Sequence, residues 1–588
     1  MSLDIARNIA FSGLWATQVQ ISVASSNIAN ADTAGYTKKT ANQTSSVTAG
    51  VGTGVTVTGI DSHVDQLLLK SLIGADSDLG SADTINTYLA KLVQLYGSTG
   101  SSTTSTSLAN TLAAFGSALT SLSSTPGSAS LQSNAVSALN AVATQLRETS
   151  SGIQKLRANA DQDISASIAD VNTDAQQIAD LNAEIRQLSA TGQSTADLED
   201  QRNTALQDLS SKMNVSYFTA SNGDLQVYTG SGQPLVDTMA HTLSYTPAAR
   251  VTASTSYDSG SSSGFSAITL NGVDVTSQIS SGKIGALIAL RDQTLPAAQS
   301  QLDQLAKQLA SSLNAVSNQG TAMPPPASLT GTAAVTSSTP LSVTGTVRLA
   351  VSDQSGKLVS YSDLDLSAYA TVGDLVSAIN GISGLSASIE SSGHLKIAST
   401  SSGNGVVINE MTSSVGSGGE GFSDYFGLND LVTGTDASNF AVRGDILSGS
   451  AALPTATLDS SATLTTGNQV LSSGSATLVN ALYAGLTGST SFAAAGGLAA
   501  TTGSFADYAA AIVSNVAGKA SQASTVATTK AAAQAAYAGS LSSESGVNLD
   551  EETARLSSLQ NKYAAASQLI QVINTMFSAL VSAVQSAG

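Results

Sequence analysis

The chain has no cysteine among its 588 residues, which excludes disulfides and thiolate metal sites and leaves the redox compartment undetermined. Charge is scarce as well, at 11% of residues, against about 25% in a typical soluble domain. Basic side chains are the scarcer kind: 23 Lys and Arg stand against 41 Asp and Glu, a net charge of −18. Without a basic stripe to neutralise phosphates, neither nucleic acid nor an anionic membrane surface is an expected partner. No segment approaches the roughly 18 uninterrupted apolar residues of a membrane-spanning helix, so membrane insertion is not expected either. Aromatics make up 4%, with a single tryptophan.

Signals for catalysis are equally thin. His63, His241 and His394 stand isolated in β or linker sequence, each read as a surface residue. The run Gly260-Ser261-Ser262-Ser263-Gly264 has the spacing of a nucleophile elbow, but no apolar strand leads into it. Asp161-x-Asp163 and Asp363-x-Asp365 lack the downstream glycine and glutamate of a calcium loop. Arg443-Gly444-Asp445 reads as a turn rather than an adhesion tripeptide. The expectation is a protein that is not an enzyme, with no catalytic, cofactor or metal site.

What the chain has in abundance is helix seam at its two ends. Near the C-terminus Leu556, Leu559, Tyr563, Ala566, Ile570, Ile573, Phe577, Leu580 and Val584 follow steps of three and four without a break, the heptad pattern of knobs-into-holes packing. Near the N-terminus Leu3, Ala10, Leu14, Thr17, Ile21, Ala24, Ile28 and Ala31 keep a similar register, with Arg7 as the one dissenter. The first helix also carries Ile5, Ile9, Phe11, Trp15, Val19 and Val23 on its other faces, and from Thr553 onward only Arg555 and Lys562 are charged. Two helices cannot bury each other on every side. Their surplus faces must meet other copies or other proteins, or stay disordered until they do. Leu14, Trp15, Ile21, Ile28, Leu556, Leu559, Tyr563, Ile570, Ile573, Phe577 and Leu580 are therefore the expected assembly residues.

A chain of this length should hold several domains, since single cores stop growing at roughly 250–300 residues. Its pattern runs helix, β, helix, β, helix, which predicts nested, discontinuous domains in an α+β multidomain fold. Residues 1–36 form an N-terminal coiled-coil helix pairing with 546–588. Helical-domain segments are expected at 37–212, opening with extended chain to about 62, and at 282–322, with an Ala/Ser/Thr-rich third part at 467–545. A small β-rich subdomain falls at 213–281 and an inserted β-rich outer domain at 323–466, opened by Pro324-Pro325-Pro326. One helix within that insert is expected near 372–380. The apolar stretch Ile9–Ala16 is read as part of the mature helix and not as a cleaved leader, because Asp4 and Arg7 cancel and the heptad runs through it. An exported chain of this kind requires a pathway that leaves the N-terminus uncleaved.

The residues Ser12-Gly13-Leu14-Trp15-Ala16-Thr17-Gln18, then Ser26-Asn27-Ile28-Ala29-Asn30 through Thr33-Ala34-Gly35-Tyr36-Thr37, closely resemble the N-terminal signature of the bacterial flagellar rod, hook and hook-associated proteins. Ser545-Gly546-Val547-Asn548-Leu549-Asp550-Glu551-Glu552, Leu559-Gln560-Asn561-Lys562-Tyr563 and Ile573-Asn574-Thr575-Met576-Phe577 resemble the C-terminus of the hook-associated, junction-forming branch. Leu198–Arg202, Gly282–Leu287, Arg291–Pro296 and Phe422–Asn429 agree with that branch, and Gly373–Ile397 resembles a β-α-β-β insert shared by flagellins and hook proteins. Lys38-Lys39 stands where the family has arginine-glutamine, and Ala34 where it has proline. The resemblance implies a structural, extracellular subunit of the flagellum, exported without a cleaved signal peptide and forming a homo-oligomeric ring at the hook–filament junction. Its implied partners are the hook protein, the next hook-associated junction protein, the flagellar type III export apparatus and a cytoplasmic export chaperone. A hook or filament-type axial subunit is the alternative.

Overall fold

A computed structural model describes residues 3–48, 50–97, 107–258, 264–472 and 474–587. The chain opens with helix α1 (Leu3–Ala29), stopped by the turn-rich run Asn30–Gly35, and continues into an antiparallel hairpin of β1 (Lys39–Thr48) and β2 (Val51–Ser62). Four helices follow: α2 (Gln66–Tyr96), α3 (Leu108–Ser124), α4 (Ala129–Ala190) and α5 (Ala196–Lys212). The Asp65 carboxylate caps α2 by accepting from the Leu67 and Leu68 amides. At 62 residues, α4 is about 93 Å long.

Residues 215–274 form two three-stranded sheets laid on α4. The helical segment expected at 282–322 is not one helix. It is α6 (Gly282–Ala289), a π-turn at Leu290–Thr294 and α7 (Leu295–Ser317). Pro296 has no N–H to give the Asp292 carbonyl, and the backbone widens there. The wide turn carries Arg291, fully buried, with Nη1 at 3.0 Å from Asp161 and 2.6 Å from the Tyr245 hydroxyl, and the guanidinium over the Phe265 ring at 4.3 Å. Asp161 is thereby a partner of this arginine and of Tyr245. Arg157 beside it holds the carbonyls of Arg291, Thr252 and Thr255, so two cations pin the β module onto the helices. The helices share one core through Leu139, Leu146, Ile153, Leu206, Leu302 and Leu309.

Beyond Pro324–Pro326 come two three-stranded antiparallel sheets with α8 (Val372–Asn380), capped reciprocally by Thr371 and Asp374, and the short helices α9 (Phe422–Phe426) and α10 (Gly444–Leu447). The sheets, α8 and α9 have a separate core that includes Val347, Leu349, Leu375, Ile397, Phe422 and Phe426, whereas α10 buries Ile446 in the helical core. The end of α7 holds this insert: the Asn314 amide bridges Leu431 and Val432, and Asn318 bonds Ser423, Asn429 and Asp430. The Arg443-Gly444-Asp445 tripeptide closes on itself, Nε of Arg443 lying 2.7 Å from Asp445.

The chain returns through α11 (Thr477–Thr487), packed on α3 and α7. A short hairpin of Thr490–Phe492 and Thr501–Gly503 interrupts the region expected to be helical, turning at Gly496 and Gly497, both with positive φ. Helix α12 (Phe505–Ser545) then runs along α2, and α13 (Leu549–Ala587) along α1.

Candidate functional site: the joint of the terminal helices

Asn27, near the end of α1, meets Glu552, in the first turn of α13, so the two helices run antiparallel from a common joint. The expected seam residues Leu559 and Ile573 are buried against α1, and Leu556, Ala566 and Ile570 are half-buried. Tyr563 lies at the seam's edge, 36% exposed. Phe577 and Leu580, also expected in the seam, are exposed. The reason is length: α1 has 27 residues and α13 has 39, so the distal end of α13 outruns its partner. From Asn574 to Ser586 every residue is exposed.

On α1 the seam is only part of the packing. Leu14, Ile21 and Ile28 are half-buried, while Ala10, Ala16, Val23, Ala24 and Asn27 are buried, because a second face lies on the β1–β2 hairpin. Trp15 and Phe11 point outward, 54% and 49% exposed. Ser12 serves the hairpin contact: its hydroxyl donates to the Ile9 carbonyl at 2.8 Å and accepts from the Val55 amide at 3.1 Å. A Cβ on Gly54 would stand 2.1 Å from that oxygen, so the hairpin needs glycine there. Gly13 faces open space, with nothing among the described residues within 4 Å of where a Cβ would stand.

The rest of the signature builds a polar joint. The Asn27 amide nitrogen donates to the Lys39 carbonyl at 2.9 Å and to Glu552 at 3.2 Å, and its oxygen accepts from the Tyr36 hydroxyl and the Lys39 amide, each at 3.0 Å. Gly35 makes the bend at φ +78°, close against Thr204. Ala29 and Thr33 are exposed; Asn30 caps the helix end by donating to the Ser26 carbonyl at 3.0 Å and accepting from the Thr33 amide through its own carbonyl at 2.9 Å. Lys39 covers the Tyr36 ring and pairs with Asp200 and Asp197 of α5, while the Thr37 amide and hydroxyl donate to Asp200 at 2.9 and 2.6 Å. Lys38 gives its amide to the Ser545 carbonyl at 2.8 Å and lies 3.0 Å from Glu551 and 3.4 Å from Glu552.

Sequence reasoning did not assign Lys38, Lys39, Asp200, Ser545 or Glu552 a role. The available signal was the scarcity of charge, which makes a lysine pair beside the glycine-tyrosine turn, and an acidic run at the opposite end of the chain, worth matching. His63 is exposed, His394 is half-buried, and His241 pairs with Asp237 and Asn271. The serines of the elbow-like run lie outside the described residues. Among the described residues no cluster of metal-ligating side chains occurs. By length and composition alone one helical stretch, within 505–586, reaches the hydropathy of a membrane span, with a mean of 1.3 over 18 residues. In α13 the polar residues Ser567, Gln568, Gln571, Asn574 and Ser578 interrupt it, so the exposed apolar side chains fall in a stripe.

Four family models match in chain order. "Flagella basal body rod protein" matches residues 8–37, "Flagellar hook-associated protein FlgK helical domain" 82–328, "Flagellin hook IN motif" 346–401 and "Flagellar basal body rod FlgEFG protein C-terminal" 538–583. The class is thereby defined: the chain is a flagellar axial protein, structural and not enzymatic. Flagellar hook-associated protein 1 of Salmonella typhimurium is 25% identical over 322 residues, covering 53% of this chain and 56% of that protein. Its counterpart in Escherichia coli K12 is 24% identical over 318 residues, covering 52% and 56%. Within the class, the chain resembles hook-associated protein 1, through the helical-domain model over 82–328 and these two relatives. The matched region spans only about half the length of those relatives. The flagellar hook junction protein FlgK from Burkholderia pseudomallei is similar in structure at a TM-score of 0.45 and 19% identity, over 80% of this chain and 98% of that one.

Proposed function

We propose that the chain is the subunit of the hook-proximal ring of the hook–filament junction, on which the filament is assembled. The observation that carries this reading is the stripe Leu569, Val572, Met576, Phe577, Leu580 and Val581 on α13, exposed although α1 and α13 have already paired. Such a stripe suits burial by other subunits better than solvent. Phe11, Trp15 and the open side of Gly13 offer a further approach on α1. The partners in this reading are copies of the same chain, the hook protein below and the next junction protein above. The export apparatus and a chaperone handle the chain before assembly, with the N-terminal helix kept uncleaved, and the ring lies outside the cell.

A hook or filament-type subunit is the alternative, supported by the rod-type models at both ends and the flagellin-type insert. The hook-associated helical domain over 82–328 favours the junction. Electron microscopy of cells lacking the protein, with an assay for flagellin in the medium, separates the readings. Hooks without filaments plus free flagellin are expected. Absence of hooks would make the chain a hook or rod subunit, and normal filaments would remove it from the axis.

A further inference from the structure

The seam of α13 that is buried or half-buried on α1 is apolar, Leu556, Leu559, Ala566, Ile570 and Ile573, and helices so paired tolerate sliding and rolling with little loss. The joint is different in kind. Of 23 basic and 41 acidic side chains in the chain, Lys38, Lys39 and Arg555 meet Asp197, Asp200, Glu551 and Glu552 at this one place. Asn27, Lys39, Asp200 and Glu552 are at least nine-tenths buried. Buried ion pairs contribute little net stability, since desolvation offsets the attraction, and a single buried polar contact in an apolar seam is the best-attested means of fixing register.

From this we infer that Asn27 with Glu552, and Lys39 with Asp200, are positioning pairs: the first fixes the register of α13 along α1, the second fixes the direction in which that helix pair leaves the helical domain. The inference rests on the ring reading only for its consequence, that every subunit presents its exposed stripe at the same height and angle. The geometry supports the division of labour. Asn27 has all four of its hydrogen-bonding positions filled, and a one-turn slip of α13 would remove Glu552 and leave a donor vacant in a dry site. Asp200 receives the Thr37 amide, the Thr37 hydroxyl and the Lys39 ammonium, three donors from one short stretch of extended chain, which fixes that stretch in angle as well as distance. Charge attraction alone would leave the angle free. Lys38 adds a second tie, binding the α12–α13 link through the Ser545 carbonyl.

The absence of cysteine makes the test clean. Spin labels on Gln18→Cys and Asn561→Cys, both exposed, report register in the full chain; labels on Ser26→Cys and Gln201→Cys report direction. In the parent each pair should give one narrow distance distribution by pulsed electron resonance. Replacing Asn27→Leu with Glu552→Leu should keep helicity but split or broaden the first distribution by about one helical turn, ~5.4 Å. Asp200→Asn should broaden the second while helicity is kept, with melting lowered because Lys39 loses a buried partner. Thr37→Val, which removes one hydroxyl, should broaden it less and serves if Asp200→Asn fails to fold; Asn27→Ser with Glu552→Gln serves likewise for the first pair. Distributions that stay narrow in the variants, or broaden only in step with lost helicity, overturn the inference. So does a parent already broad at both pairs. None of these outcomes touches the ring reading, which stands or falls on filament attachment.

Discussion

Replacing Leu569 by glutamate separates a chain that merely pairs its ends from one whose paired ends are a building surface. Leu569 is 52% exposed and lies beside the seam, so in the isolated chain Leu569→Glu should change stability by less than about 0.5 kcal/mol. The stripe of Leu569, Val572, Met576, Phe577, Leu580, Val581 and Val584 has exposures from 40% to 68%. Covering it in an assembly would bury roughly half of seven large side chains, worth about 5–10 kcal/mol per subunit at about 1.5–3 kcal/mol for a full burial. A carboxylate in that stripe forfeits the leucine's share and must be desolvated, a loss of about 3 kcal/mol or more and so about 100-fold in association. Leu559→Ala is the contrast: this side chain is 3% exposed in the seam, and its truncation should cost about 2–5 kcal/mol in the helix pair itself. Circular dichroism melts of both variants and filament counts on complemented cells form the assay. Leu569→Glu should melt like the parent yet leave hooks bare and flagellin in the medium. Normal filaments with Leu569→Glu would mean that the stripe faces solvent in the flagellum, and the burial argument would fail.

Gly35→Ala should destabilise the joint by about 1–3 kcal/mol, because φ is +78° and the new Cβ would lie 2.5 Å from the Thr204 hydroxyl; faster hydrogen exchange at the Thr37 and Lys39 amides, with none at the core of α4, is the expected signature. Burial, with Asp430, Glu420 and Glu410 nearby, pushes the Asp424 carboxyl from 3.8 up to about 6. Folding therefore favours its protonated form, and its contribution is present below pH 3.8 and lost as pH rises through 6. The full gap would correspond to about 3 kcal/mol, reduced to about 1 because the carboxyl is half-buried. Asp424→Asn should thus be more stable than the parent in urea at pH 8, with the gain shrinking at pH 4.5; an equal gain at both would refute the assignment. Arg291→Met should lower unfolding stability by about 3–5 kcal/mol by leaving Asp161 buried without its cation; a drop under about 1 kcal/mol would show that Tyr245 and the Ala248 amide suffice.

The sequence reveals most where periodicity is local. The C-terminal heptad marks the face that packs on α1, because seam spacing depends only on residues three and four apart. The helix expected near 372–380 is α8, whose Thr371–Asp374 cap and apolar Val372, Leu375 and Ile379 lie within nine positions. The N-terminal helix is harder to read, since it serves both α13 and the hairpin, and two apolar faces blur into a single apolar surround. Trp15 is named as an assembly residue on apolarity alone; its exposure could not have been read from spacing. The joint is hidden for a different reason. Asp200 and Glu552 look like any acidic residue on a helix until the fold brings them to Asn27 and Lys39, and no local pattern encodes a meeting of three distant segments. The interruption at Leu290–Thr294 follows from Pro296 only once the helix is known to continue on both sides.

Asn27 and Glu552 touch across 525 positions of sequence. In a fully unfolded chain, closing a loop of that length costs about 5–6 kcal/mol in entropy. With the helical domain and its insertions already folded, α2 and α12 hold the two ends side by side, and most of that cost has already been met. The contact between the ends is therefore entropically cheap only on a chain whose inner domains are already in place.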